Sequence, residues 1–134
     1  MKSFETFKEL QTKLEKDRPG ELAKATTAIG RSGINIQGFC EVDGDFHVVT
    51  SDPSAAKKAL ETAGYKVREA DVIAFPAEDR PGFLAEVLNR FSENEINVGA
   101  AYTLADTRMV IASDQVSKIK NVLQDYATTG STRR

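Results

Sequence analysis

The sequence predicts an α+β protein of two like modules in tandem, each running strand, helix, strand, strand, helix, strand. Three observations carry this. The tetrapeptide Asp-Arg-Pro-Gly occurs twice, at Asp17 to Gly20 and Asp79 to Gly82. Each copy is followed at the same distance by Ile-Asn, as Ile34-Asn35 and Ile96-Asn97. Sliding the chain by 62 residues, the spacing of Asp17 and Asp79, also lays Leu22 on Leu84, Ala23 on Ala85, Val48 on Val110 and Ser51-Asp52 on Ser113-Asp114 without a gap. That register is the mark of an internal duplication.

The elements follow from the periodicity. Leu10, Thr12 and Leu14 alternate with polar residues as a strand before the first tetrapeptide. Leu22, Ala25 and Ile29 then fall at helical spacing, which predicts a helix from about Pro19 to Ser32. Pro19 suits its first turn and Gly33 its left-handed exit. Ile34, Ile36 and Gly38 alternate with Asn35, Gln37 and Phe39, and Asp43-Gly44 signals a tight hairpin turn before Phe46, Val48 and Val49. Asp52-Pro53 opens a second helix with Ala56, Ala59, Leu60 and Ala63 on its apolar side. Gly64 ends it, and Tyr65 to Phe75 reads as extended.

The second copy repeats the order. Leu84, Val87, Leu88 and Phe91 form one stripe, with Asn94-Glu95 as the exit and Asn94 expected to take the left-handed conformation. Ile96, Val98, Tyr102 and Leu104 lead through Ala105-Asp106-Thr107 to Met109, Val110 and Ile111. A last helix begins near Asp114 and buries Val116, Ile119, Val122, Leu123 and Tyr126. Strand, helix, strand, strand, helix, strand is the ferredoxin-like βαββαβ order, an antiparallel sheet with helices on one face. The expected modules are residues 1–70 and 71–134, with no linker between them.

The second module lacks a clear last strand, because Ala127 to Arg134 is polar and reads as a loose tail. Phe4 and Phe7 offer a substitute edge strand for that module or for a partner chain. Phe7, Leu10 and Leu14 fit a helical stripe equally.

Composition narrows the function. The chain has 134 residues, 40% hydrophobic and 28% charged, with a net charge of -2; this balance suits a soluble globular protein. Modules of roughly 60 to 70 residues have marginal cores and lean on one another. No apolar run reaches the length of a membrane helix and Met1-Lys2-Ser3-Phe4 opens no secretory signal, so a cytoplasmic protein is expected. Lys and Arg are scattered rather than striped, which argues against nucleic acid. One cysteine, Cys40, and one histidine, His47, leave no disulfide and no metal cluster. Both read as strand residues. There is no phosphate loop and no nucleophile elbow, so neither a cofactor nor catalysis is expected.

What remains is the repeated turn. At the exit of a strand it leads into the positive end of a helix, whose first N–H groups lack partners. Gly20 lets a ligand approach the backbone, Pro19 fixes the path of the chain, and Asp17 can cap the helix or accept from an amine. Asn35 offers both donor and acceptor. Backbone N–H groups on a carboxylate, with Asp17 or Asn35 on an ammonium, would suit an amino acid. Local geometry alone also favours Asp, Pro and Gly at such a turn.

Asp-Arg-Pro-Gly-x-Leu-Ala followed by Gly-Ile-Asn-Ile (Gly33 to Ile36), with its partner Asp-Arg-Pro-Gly-Phe-Leu-Ala and Glu-Ile-Asn-Val (Glu95 to Val98), resembles the ACT domain, here in tandem from about residue 9 to 126. The resemblance implies a small ligand-binding regulatory module of amino-acid metabolism. It implicates Asp17, Gly20 and Asn35 in one copy and Asp79, Gly82 and Asn97 in the other; with the rest of each turn, Arg18 and Pro19, and Arg80 and Pro81, these form the candidate ligand-binding set. Amino-acid-binding members often carry His and Asn before Arg-Pro-Gly; here Glu15 with Asp17, and Ala77 with Asp79, take those places. The expectation is a non-catalytic sensor of an amino acid, paired within the chain or as a homodimer, with a partner enzyme as its target. The alternative is an interaction module that regulates an enzyme without a small ligand.

Overall fold

The computed structural model describes residues 4–15 and 18–129. The chain divides into two compact units, Lys8–Ala70 and Met1–Phe7 together with Asp71–Arg134. Residues 4–7 thus group with the second unit and not with the first.

The first unit comprises β1 (Glu5–Lys13, from Lys8 on), α1 (Glu21–Arg31), β2 (Ile36–Val42), β3 (Asp45–Thr50), α2 (Pro53–Thr62) and the opening residues of β4 (Val67–Pro76). Its strands lie in the order β2-β3-β1-β4. β3 pairs antiparallel with β1, Leu10 opposite Val48 and Lys13 opposite Asp45. It also pairs antiparallel with β2, Phe39 opposite Val48 and Val42 opposite Asp45. Asp43 and Gly44 both have positive φ, 53° and 85°, as the tight hairpin turn requires. One sheet face gives Leu10, Leu14, Phe46 and Val48 to a core completed by Ala25 and Ile29 of α1 and Ala56 and Leu60 of α2. Asp52 caps α2, accepting the Ala55 N–H at 3.1 Å.

Two expectations need correction here. Strand β1 extends back to Glu5, so Phe7, Leu10 and Leu14 do not form a helical stripe. The helix after the first tetrapeptide starts at Glu21 and not at Pro19, because Gly20 sits at φ 89° as its N-cap. A left-handed residue cannot continue a right-handed helix, so Pro19 stays in the turn.

The second unit contains β4 from Asp71 on, α3 (Phe83–Glu93), β5 (Ala100–Thr103), β6 (Arg108–Ala112) and α4 (Val116–Thr129). The order is β5-β6-β4-β1. The strand missing from the end of this module is supplied by the start of the chain. Phe4 packs against the core of Ile73, Phe75, Phe83, Val87, Phe91, Ile111, Ile119, Leu123 and Tyr126. Arg108 grips the same segment, with Nη1 2.8 Å from Glu5 Oε1 and its guanidinium 5.0 Å from the centre of the Phe7 ring.

Three further boundaries differ from expectation. β5 begins at Ala100 and not at Ile96, with a ladder-like bond from Gly99 N–H to Ala112 O, 2.8 Å, just before it. α4 runs through Thr129 instead of fraying after Tyr126; residues 130–134 lie outside the described residues. The left-handed residue after α3 is Glu95 at φ 57°, not Asn94 at φ -99°. Asn94 Nδ2 instead bonds the Arg90 carbonyl at 2.8 Å, which caps the helix and leaves the reversal to its neighbour. Gln115 Nε2 holds the Glu95 carbonyl at 3.2 Å.

Candidate functional site

Both tetrapeptides form the same turn. Gly20 and Gly82 are left-handed N-caps at φ 89° and 85°, and neither helix has a side-chain cap. Each turn closes weakly on its arginine carbonyl, Glu21 N–H to Arg18 O at 3.4 Å and Phe83 N–H to Arg80 O at 3.3 Å. The next two N–H groups, of Leu22 and Ala23 in one copy and Leu84 and Ala85 in the other, have no partner among the described residues. Open N–H groups at the positive end of a helix can hold a carboxylate. Asp17 lies outside the described residues. Asp79, Pro81 and Gly82 are exposed, as are Arg18, Pro19 and Gly20.

The two copies differ in what the arginine does. In the second unit Arg80 is tied down: Nε is 2.8 Å from Glu78 Oε1, Nη1 2.9 Å from Glu86 Oε2, and Nη2 3.2 Å from the Tyr126 hydroxyl. That hydroxyl donates to Glu86 Oε1 at 2.8 Å, and the guanidinium lies 5.5 Å from the centre of the Phe83 ring. The Arg80 guanidinium, and then the Tyr126 hydroxyl, hold the Glu86 carboxyl down at about 2. Glu86, and then Glu78, raise the basicity of Arg80 further. Burial and the Glu86 carboxylate push the Tyr126 hydroxyl up.

Shifted back by 62 residues, Glu78 becomes Lys16 and Glu86 becomes Lys24. Both acids of the clamp are bases in the first copy. Lys24 lies over the Tyr65 ring, 5.2 Å from its centre, and among the described residues Arg18 pairs with Glu15 alone, at 2.7 Å in an exposed pair. Such a pair adds little stability, so the first turn stays accessible.

A cleft of about 660 Å³ opens beside that first turn, between Arg18, Gly20, Leu22 and Ala23 on one side and Glu41, Asp43 and Gly44 of the β2–β3 hairpin on the other. Glu15 and Glu21 also line it. Glu41 Oε2 accepts the Gly44 N–H at 2.8 Å and Glu21 Oε1 accepts the Glu15 N–H at 3.3 Å. The cleft therefore offers N–H donors and Arg18 to an anion, and carboxylates to a cation. Sequence reasoning missed Glu15, Glu21 and Glu41 as lining, and treated Asp43 as a turn residue. The signal available was the hairpin itself, since β2 and β3 return the chain to the exit of β1.

Asn35 and Asn97 are not brought to the turns of their own units. Lys13 at the exit of β1 faces Asp45 at the start of β3, whereas Asn35 exchanges hydrogen bonds with Ser51 beyond the end of β3. The length of β3 separates them, roughly 17–20 Å at the rise of a strand. The second unit repeats this: Pro76 faces Arg108, and the Asn97 carbonyl accepts from Ser113 Oγ at 2.7 Å past the other end of β6. Both Asn residues are exposed. Asn97 borders a separate hollow of about 520 Å³ with Leu88, Phe91, Val98 and Ala101.

Breaking the clamp should be visible. Arg80→Gln and Glu86→Gln are each expected to lower the melting temperature, and the double variant should be no worse than the poorer single. Additive losses would show that the two groups act independently. Because the Glu86 carboxyl is depressed in the folded state, its share of stability is present above its ordinary value of 4.5 and is lost as pH falls through about 2.

No group of three or more His, Cys, Asp or Glu among the described residues could hold a metal ion, and no helix among them is long and apolar enough to cross a membrane.

A family model described as an ACT domain pair matches residues 36–127. Among solved structures, protein BT0572 from Bacteroides thetaiotaomicron is similar at 28% identity, with a TM-score of 0.77 over 91% of this chain and 89% of that one. The regulatory subunit of aspartate kinase from Thermus flavus is similar at 14% identity and TM-score 0.65, over 92% and 95% of the two chains. E. coli aspartokinase III, in complex with lysine and aspartate, is similar at 12% identity and TM-score 0.59, over 93% of this chain and 32% of that one. No curated protein matches the chain.

Proposed function

We propose, from the premise that the chain belongs to the ACT domain family as a domain pair, that it is a non-catalytic regulatory protein which senses an amino acid at the first strand-to-helix turn. The cleft beside that turn carries the reading. It sets the open N–H groups of Leu22 and Ala23 and the guanidinium of Arg18 opposite the carboxylates of Glu41 and Asp43, the pairing a zwitterion needs. The structure of aspartokinase III with bound lysine and aspartate gives an amino-acid precedent in a protein of this fold.

In this reading Gly20 and Pro19 shape the approach, and Asp17 is assigned to the ligand's ammonium from its place in the motif alone. Asp79, Arg80, Pro81, Gly82 and Asn97 form the corresponding set of the second copy, where Arg80 is already occupied by Glu78 and Glu86. A ligand held by such a turn and also by an Asn must span two modules, because each unit keeps the two apart. Homodimer formation would meet that need, and an enzyme of amino-acid metabolism in the cytoplasm is the natural target. Ligand binding would then act by favouring whichever arrangement contacts it at both ends.

The test is a melting-temperature screen of the common amino acids. A ligand at about 100 times its Kd should add about 2.7 kcal/mol. The stabilisation should fall sharply in an Arg18→Ala, Glu41→Gln double variant and persist in Asp79→Asn. Were no amino acid to raise the melting temperature, the sensor reading would fail. A second reading, an interaction module without a small ligand, draws support from Phe39 and Val42, 49% and 63% exposed on strand β2. Stoichiometric binding of an enzyme that is indifferent to every amino acid would favour it.

A further inference from the structure

A second hollow of the first unit, on the sheet and apart from the turn, has the opposite electrical character. It encloses about 400 Å³, and its lining includes Gln11, Lys13, Asp45, His47, Lys66 and Arg68. Three of these side chains are cations and one is the sole histidine, against a single carboxylate. Lys13 Nζ is bound to that carboxylate, Asp45 Oδ1, at 2.7 Å. Lys66 and Arg68 have no ion-pair partner among the described residues.

The hollow is built from beneath. Glu9, with no solvent exposure, accepts from Gln11 Nε2 at 2.7 Å and is bonded to His47 Nδ1 at 2.9 Å. Gln11 Oε1 in turn accepts from Arg68 Nη2 at 2.9 Å. One buried carboxylate therefore fixes the imidazole by one nitrogen, and through the Gln11 amide fixes the guanidinium by one of its five N–H groups. In the imidazolium form, with Nδ1–H given to Glu9, the His47 Nε2–H and the remaining Arg68 donors are left for the hollow that both side chains line. Thr12 Oγ1 donates to the Lys66 carbonyl at 2.7 Å, which holds the start of β4 against β1 and brings the Lys66 side chain to the same rim.

We propose that this hollow binds a small oxyanion, a carboxylate or a phosphate, between Arg68, Lys66 and the Nε2 of His47. A planar guanidinium held at one edge presents the other for two-point binding of such a group. The site does not depend on the amino-acid reading of the turn.

The lone histidine makes the test direct, because the imidazole Cε1–H gives one NMR signal from this chain. The intact protein is titrated at fixed pH with sodium phosphate, with sodium succinate, and with sodium chloride at matched ionic strength. At least one of the first two should shift the signal saturably while chloride does not. Arg68→Gln should weaken that binding by about tenfold, and Lys66→Gln by a lesser factor, while Arg18→Ala leaves it unchanged. Shifts that chloride reproduces, or that never saturate, would mean solvated surface charges and overturn the proposal. Equal affinity in Arg68→Gln would do the same, and if that variant does not fold, equal affinity in Lys66→Gln decides against it.

Discussion

Deletion of residues 1–7 is expected to unfold or severely loosen the second unit while leaving the first intact. Those residues bring Phe4 to the second core, Glu5 to Arg108, and a strand to the edge of β4. Losing the packing of one partly buried Phe together with edge-strand hydrogen bonds should cost roughly 2–4 kcal/mol. A unit of this size has little more to give. Hydrogen exchange locates the effect: amides of residues 71–76 and 108–112 should lose protection, and those of β2 and β3 should keep it. Phe4→Ala should reproduce part of the loss. An unchanged urea midpoint for the truncated chain would show that the second unit does not need its borrowed strand.

The second large effect is expected at the Glu9–His47 pair. Glu9 is fully buried, and removing one member of a buried pair strands the other. His47→Leu should therefore cost about 2–3 kcal/mol below neutral pH, somewhat under the full value for a buried pair because the imidazole keeps some exposure and Gln11 still donates to Glu9. The dependence on pH gives the sign. The hydrogen bond to Glu9 outweighs burial and raises the His47 imidazole above its ordinary 6.5; the charges of Glu9 and Asp45 add to this and that of Arg68 opposes it. A group raised on folding contributes fully below its unfolded value and loses that contribution as pH rises through the folded one. The gap between wild type and His47→Leu in urea should thus be widest below pH 6.5 and narrow above it. A gap that is flat across this range would mean that packing, and not charge, is what the imidazole supplies.

Much of the fold was legible because duplication doubled every weak signal. A single Asp-Arg-Pro-Gly is ambiguous, but two in register with Ile34-Asn35 and Ile96-Asn97 fixed the order of elements. The polar face of β1 gave no warning that residues 5–7 and 8–13 serve different units, since strand periodicity says which side is apolar and not which neighbour lies beside it. Glu95 illustrates a different limit: local preference pointed to Asn94, and the helix cap made by Asn94 overrode it. The site was legible as two equal turns. Their inequality depended on Glu78 and Glu86 against Lys16 and Lys24, charges that look like solvated surface until Tyr126 and Arg80 are seen among them. The failure of Asn35 to meet Gly20 follows from direction: a helix returns the chain to the opposite end of the sheet before β2 starts.

The borrowed strand also sets an order of events in time. Phe4 to Phe7 are made before the whole of the first unit, yet their place in the second unit does not exist until β4 has been made beyond Asp71. The entropy of closing so long a segment grows only logarithmically, so the thermodynamic penalty is modest. The kinetic one is larger, because pairings distant in sequence form late. The first unit can close on its own contiguous residues, whereas the second must join two segments that lie on either side of the whole first unit in sequence.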